Sequence, residues 1–447
     1  MDSATILAAL DNGTYVTDAM MDRALARLIK VQMRLGFYNQ PKDLPEWGQW
    51  DGDLTTHLNT VAHQELALQA ADQALVLLKN NNSKGEAVLP LDVQFKKTVA
   101  VIGPNAKATS GLLSNYHGTP GVKVASPLLA ISEHVDTVVY SLGCPMDDYR
   151  NSTQNISAAV EVASRADAVI LVVGNDGSTG GGEGHDRAGI SLAGAQDQLI
   201  SEVAAAARGR GPVIVVIISG ESVDLAPAKN NPDVDAIIWQ GYPGQAGANA
   251  TARAIFGVTN PSGRLPITLY EASYANQVSM ADMGMRPNML RKNPGRTYRF
   301  FGGAVGYPFG AGGSFTTFKH VAEQASGLSL ALSDVSSSLA EFGQTPHLAP
   351  TLANAVVEVT NTGTRAGAQS VLCFAVPPGA GTNGVPIKKL VDFGRVILQP
   401  GASATVTCNV TAVQLSEPHP VSGELVARGG TWRLRFGDAD VALTVNT

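Results

Sequence analysis

Glu183 stands in a glycine-rich stretch, Gly174-Asn175-Asp176-Gly177-Ser178-Thr179-Gly180-Gly181-Gly182-Glu183-Gly184-His185-Asp186-Arg187, that follows a strand-like apolar run. A loop leaving a buried strand can close over a bound ligand and exclude water, which suits a carboxyl group that moves protons. Two other readings compete: a solvated loop carboxylate, or a surface pair with Arg187 worth under about 1 kcal/mol. Asp186-Arg187 is read as a charge-assisted pair supporting the loop. The glycines could suggest a phosphate cradle, but the stretch has neither G-x-G-x-x-G nor Walker spacing and no following Lys-Ser/Thr. Tyr116-His117 offers an aromatic face beside an imidazole able to hydrogen-bond hydroxyls, with a buried turn as the alternative.

Elements that could position these groups appear between residues 97 and 270. Val99–Gly103, Ala168–Gly174 and Val213–Gly220 are β-branched and apolar almost throughout, so they read as strands covered on both faces. Asp233–Trp239 reads as another strand, and Ile156–Ala166 and Ala195–Ala207 as amphipathic helices. The alternation implies an open, mostly parallel α/β sheet, whose ligands bind at the carboxyl ends of the strands. Before it, helices are expected over Met20–Leu35, stopped by Gly36, and over about Thr55–Leu78. After it, residues 271–320 read as an ordered wrapping linker. Ala355–Thr360, Ser370–Ala375, Lys389–Val396, Ala404–Val410 and Thr431–Phe436 then alternate as strands of an all-β sandwich.

Composition bounds the rest. A chain of 447 residues with 44% hydrophobic and 16% charged residues is expected to form two or three domains with a large core, and no apolar run is long enough to span a bilayer. A net charge of −6 gives nucleic acid no electrostatic reason to bind. Three cysteines without a CxxC pair and scattered histidines argue against a structural metal site. Cys373 and Cys408 could pair, with buried free thiols as the equal alternative. Sequons at Asn12, Asn81, Asn151, Asn155, Asn249 and Asn409 fit a secreted glycoprotein. Met1-Asp2-Ser3-Ala4-Thr5 shows no leader pattern, so the expectation is a secreted protein whose beginning is missing.

Several strings resemble glycoside hydrolase family 3. Gln64–Asn80 with Leu89-Pro90-Leu91 is similar to the entry of that family's second domain, and Gly241–Gly247 and Asn260–Thr268 to two later signatures of it. Asn115–Pro120, Asp282–Pro287 and Pro294–Phe300 resemble the β-xylosidase branch. Tyr307–Phe318 resembles the lead into a fibronectin type III-like domain, with Ala311 and Phe315 departing from the usual His and Tyr, and Pro386–Val396 matches within that domain.

The resemblance implies residues 1–54 as a remnant after a missing barrel, 55–270 as the α/β sandwich domain, 271–320 as linker and 321–447 as the fibronectin type III-like domain. It implies retaining hydrolysis of xylo-oligosaccharide or another β-glycoside, without cofactor or metal, by an aspartate on a (β/α)8 barrel and a glutamate acid/base on a loop of the α/β domain. Glu183 inherits that glutamate's place, although Gly181 stands where relatives carry a second acid and the loop is one residue longer. Tyr116 and His117 would line the sugar pocket. Trp239, Tyr242, Arg286, Arg296 and Tyr298 are read as packing or tying residues. Ser333-Asp334 is similar to the Ser-Asp pair at family nucleophiles but lies beside the sandwich. Alternatives are β-glucosidase or α-arabinofuranosidase specificity, and a non-catalytic sugar-binding module or one completed by a separately encoded barrel.

Overall fold

The computed structural model describes residues 7–9, 11, 16–39, 57–92, 97–146, 152–177, 182–184, 187–323, 328–419 and 422–447. The chain divides into two compact units, Met1–Gln64 and Glu65–Thr447. In the first, the helix Asp18–Arg34 is capped by Thr17, whose side chain accepts from the Met20 N–H. It ends before Gly36, which adopts φ +77° as a helix stop requires.

The second unit begins in the helix Val61–Ala74 and then enters a six-stranded sheet: β1 (Val76–Asn80), β2 (Thr98–Ile102), β3 (Thr137–Ser141), β4 (Ala168–Gly174), β5 (Val213–Ile218) and β6 (Ala236–Trp239). The helix expected to reach Leu78 is therefore corrected: it stops at Ala74, and Val76–Asn80 pairs antiparallel with β6. A short apolar run satisfies either period, and here burial against Trp239 and Ile238 decides for strand.

Strand order is β1-β6-β5-β4-β2-β3, and all pairings except β1 with β6 are parallel. Every residue of β4 and β5 is buried. Alternate side chains serve opposite layers. Val169, Leu171 and Val173 pack with the helices Ile156–Ala163 and Gln196–Ala207, while Ala168, Ile170 and Val172 pack with the helices Pro127–Ser132 and Gly247–Ile255. The central strands are thus covered on both faces.

β7 (Leu269–Tyr270) and β8 (Val305–Tyr307) form a short pair flanking the segment that runs to the sandwich. The sandwich contains β9 (Phe318–Ala322), β10 (Leu328–Ala331), β11 (Thr351–Asn361), β12 (Gly367–Val376), β13 (Lys389–Leu398), β14 (Ser403–Thr411), β15 (Ser416–Pro418), β16 (Leu425–Ala427), β17 (Gly430–Phe436) and β18 (Ala439–Asn446). One sheet runs β10-β18-β17-β12-β13 and the facing sheet β14-β11-β9. A disulfide between Cys373 of β12 and Cys408 of β14 crosses the two sheets, resolving the open choice for these thiols. Trp432 is fully buried beneath them, and its indole N–H reaches the Arg428 carbonyl at 3.1 Å.

Between the α/β layer and the sandwich, polar side chains cross repeatedly. The Arg264 guanidinium donates to Gln369 Oε1 at 2.8 Å and to the Ser370 carbonyl at 3.3 Å. From the intervening segment Arg286 donates to the Gly384 carbonyl and the Tyr298 hydroxyl accepts from the Leu390 N–H, while Arg296 donates within that segment to the Asp282 carbonyl.

Candidate functional site

The sheet reverses its direction of growth at β2. From β2 the chain moves outward to β3, then crosses back to place β4 on the other side of β2, and β5 and β6 continue away. The crevice beyond the carboxyl ends of β2 and β4 is the switch point where open α/β sheets place ligands. Gly103 directly follows β2 and Gly174 ends β4, and neither can be replaced: a Cβ on Gly103, at φ +123°, would sit 2.3 Å from the Val172 carbonyl oxygen, and one on Gly174, at φ +130°, 2.0 Å from that of Ile218. These turns open the loops that carry Tyr116 and Glu183.

Buried polar groups fix the loop bases. Gln196 brackets the Gly174 peptide, accepting its N–H at 2.7 Å and donating to its carbonyl at 2.9 Å. Asn105 donates to the Asn175 carbonyl at 3.2 Å. The Asn175 amide reaches Glu221 Oε2 at 3.2 Å, which adds the loop after β5 to the cluster. Arg187 approaches Asn175 Oδ1 at 3.5 Å, so the far end of the Glu183 loop returns to its start.

At the tips the two loops meet. The Tyr116 hydroxyl donates to Glu183 Oε2 at 2.5 Å, within the range of short hydrogen bonds to a carboxylate. That bond holds the phenol proton and raises the Tyr116 pKa above its ordinary value. Both side chains are exposed. His117 is exposed as well, and its Nδ1 bonds the neighbouring Gly118 carbonyl at 2.7 Å, so the structure joins Tyr116, but not His117, to Glu183.

Sequence reasoning missed the carboxylates near the base of the Glu183 loop. Burial pushes the Asp197 carboxyl up to about 6, with the charge of Asp224 adding to the rise and Arg187 opposing it. Glu221 bonds Asn175 from the next strand's loop. The rule that carboxyl-end loops gather ligand groups could have found Glu221 directly after β5. Burial raises the Tyr242 phenol, helped by Glu221. The Tyr242 ring packs on Gly220, where a Cβ would come within 2.6 Å of it, and Trp239 is buried at the end of β6.

The remaining expected sites fall as follows. Asn81, Asn249 and Asn409 are exposed and Asn155 is half-buried, while Asn12, Asn151 and Asp186 lie outside the described residues. Ser333-Asp334 opens the sandwich helix Leu332–Phe342. Among the described residues, no group of His, Cys, Asp and Glu is arranged to hold a metal ion.

Comparison with known proteins connects this geometry to a family. The glycosyl hydrolase family 3 C-terminal domain matches residues 75–315, and a fibronectin type III-like domain matches 369–439. Beta-D-xylosidase 3 of Arabidopsis thaliana is 40% identical over 407 residues, covering 88% of this chain and 50% of the relative. Beta-xylosidase/alpha-L-arabinofuranosidase 2 of Medicago sativa subsp. varia is 38% identical over 404 residues, with 88% and 50% covered. A solved GH3 exo-beta-xylosidase (XlnD), in complex with a xylobiose aziridine activity-based probe, superposes with a TM-score of 0.83 at 32% identity, covering 98% of this chain and 55% of that one. The chain spans about half the length of the curated relatives it matches. By the match over more than half its length, this chain belongs to glycosyl hydrolase family 3.

Proposed function

We propose that the chain supplies the acid/base side of an exo-acting, retaining β-xylosidase site, with Glu183 protonating the departing glycosidic oxygen and then activating water. The observation that carries this reading is the 2.5 Å bond from Tyr116 to Glu183, which ties the loops of β2 and β4 at the switch point. The Glu183 carboxylate gains a defined position from it, and a ligand hydroxyl can take the same place on Oε2. The mechanism needs a second carboxylate about 5 Å away as nucleophile. The reading assigns it to a (β/α)8 barrel facing these loops, as the family resemblance implies.

The names of the relatives support xylo-oligosaccharide as substrate, and the paired specificity in the Medicago name keeps α-arabinofuranoside as the second one to test. The reading extends to a secreted glycoprotein, supported by the disulfide and by the exposed sequons at Asn81, Asn249 and Asn409.

The test uses a chromogenic β-xyloside beside the matching α-arabinofuranoside. The 447-residue chain alone is expected to turn over very slowly or not at all. Paired with a family 3 barrel it is expected to hydrolyse the xyloside, and Glu183→Gln in that protein to lower kcat about 10²–10⁴-fold. Ordinary turnover by the chain alone, unaffected by Glu183→Gln, would overturn the proposal.

A further inference from the structure

A crevice that neither Tyr116 nor Glu183 lines begins at Gly220 and Ser222, in the loop after β5, and runs along the segment 285–300 onto the sandwich. It consists of two cavities of about 530 and 420 Å³ that share Met285 and Arg299 in their walls. Their sizes fall within the usual range for small-ligand sites.

The first cavity is lined by Tyr270, Tyr298 and Phe309, aromatic rings of the kind that pack against the apolar faces of sugars. Thr268 lines it too, buried to nine-tenths, and its hydroxyl has no partner among the described residues. At its edge Thr297 adopts φ +62°, a strained conformation for a β-branched residue, while its N–H donates to the Tyr270 hydroxyl at 2.6 Å. That backbone turn carries Tyr298 and Arg299 to the junction of the cavities.

Charge along the crevice is unbalanced. Lys389 is neutralised by Glu417 at 3.2 Å and donates to the Ser416 carbonyl. Arg286 is held by the Gly384 carbonyl and lies over the Phe300 ring. Arg299 is exposed and lines both cavities, and its guanidinium has no carboxylate or hydrogen-bond partner among the described residues. A guanidinium left open at an aromatic-lined cavity matches a planar carboxylate in bidentate fashion.

We propose that this crevice is an accessory binding site for a glycoside chain bearing a carboxylate, a uronic-acid-substituted oligosaccharide, with its sugar rings on the aromatic wall and its acid on Arg299. The inference rests on the reading that the protein handles glycosides, and it names the substituent that the protein would recognise beyond the site of cleavage.

Titration calorimetry of the 447-residue chain tests it, using a xylo-oligosaccharide carrying one uronic acid and the neutral oligosaccharide of equal length. The acidic ligand is expected to bind about tenfold more tightly, with the difference shrinking as salt is raised. Arg299→Ala should erase the difference without shifting the thermal midpoint, and Arg299→Lys should keep only part of it. Glu183→Gln should leave it intact. Equal affinity for the two ligands, no binding of either, or a preference that survives Arg299→Ala would overturn the proposal. A preference abolished by Glu183→Gln would place the acid in the cleavage site and overturn it as well. Acid-selective binding by the chain, with no hydrolysis of any glycoside by the barrel-paired protein, would sink the catalytic reading and leave this one standing.

Discussion

The exposed polar side chains Tyr116 and Glu183, on the loops after β2 and β4, and polar side chains at the seam with the sandwich do opposite work. At the seam Asn361 is fully buried, and its amide accepts from Thr316 and donates to the Arg365 and Leu398 carbonyls. Arg264 likewise spends two donors on Gln369 and Ser370. These groups have exchanged water for fixed partners, so removing one leaves another stranded. On their loops Tyr116 and Glu183 stay exposed and hold each other by a single bond, which a ligand can replace at little cost. The contrast separates a rigid frame from a rim whose hydrogen bonds remain exchangeable.

Substitutions can break that comparison. Glu183→Gln, the largest effect expected, should lower kcat about 10²–10⁴-fold while leaving the denaturation midpoint unmoved; a large stability loss would make the loop part of the frame. Replacing Cys373 and Cys408 by alanine should do the reverse, lowering unfolding stability by about 2–5 kcal/mol in denaturant titrations. Arg264→Ala should cost about 1–3 kcal/mol by the same measurement, since Gln369 and the Ser370 carbonyl lose their donor.

Asp197 sharpens the comparison by pH. Its folded carboxyl titrates near 6, above the ordinary 3.8, because burial disfavours its charge. The folded state therefore binds the proton more tightly than the unfolded chain between about pH 4 and 6, and stability from this group falls as pH rises through that window. Asp197→Asn should raise stability at pH 7.5 by about 1–2 kcal/mol and make no difference at pH 4. A loss at pH 7.5 would mean that the Arg187 attraction outweighs burial.

Much of this frame was legible in the chain. Ala168–Gly174 is a strand with the expected bounds, because a run apolar at every position has to be covered on both faces. The apolar stretch after Ala74 was not legible, since only the neighbouring β6 decides between helix and strand. The sandwich helix Leu332–Phe342 was missed because serines interrupt its apolar stripe, although Val335, Ser338 and Leu339 are buried. For the candidate site, the Glu183 loop and Tyr116 were visible as local strings. Their meeting, and the approach of Glu221 and Asp197, depend on strand order, which no local pattern encodes.

The central claim is that Glu183 is the proton donor at this switch point. It is tested most directly by Glu183→Ala in the barrel-paired protein, assayed on an activated aryl β-xyloside with and without azide. The account predicts slow turnover that azide restores, yielding the β-xylosyl azide, because a small anion needs no general base to attack the glycosyl-enzyme. Undiminished turnover of the aryl xyloside by the variant, with azide adding nothing, would contradict it.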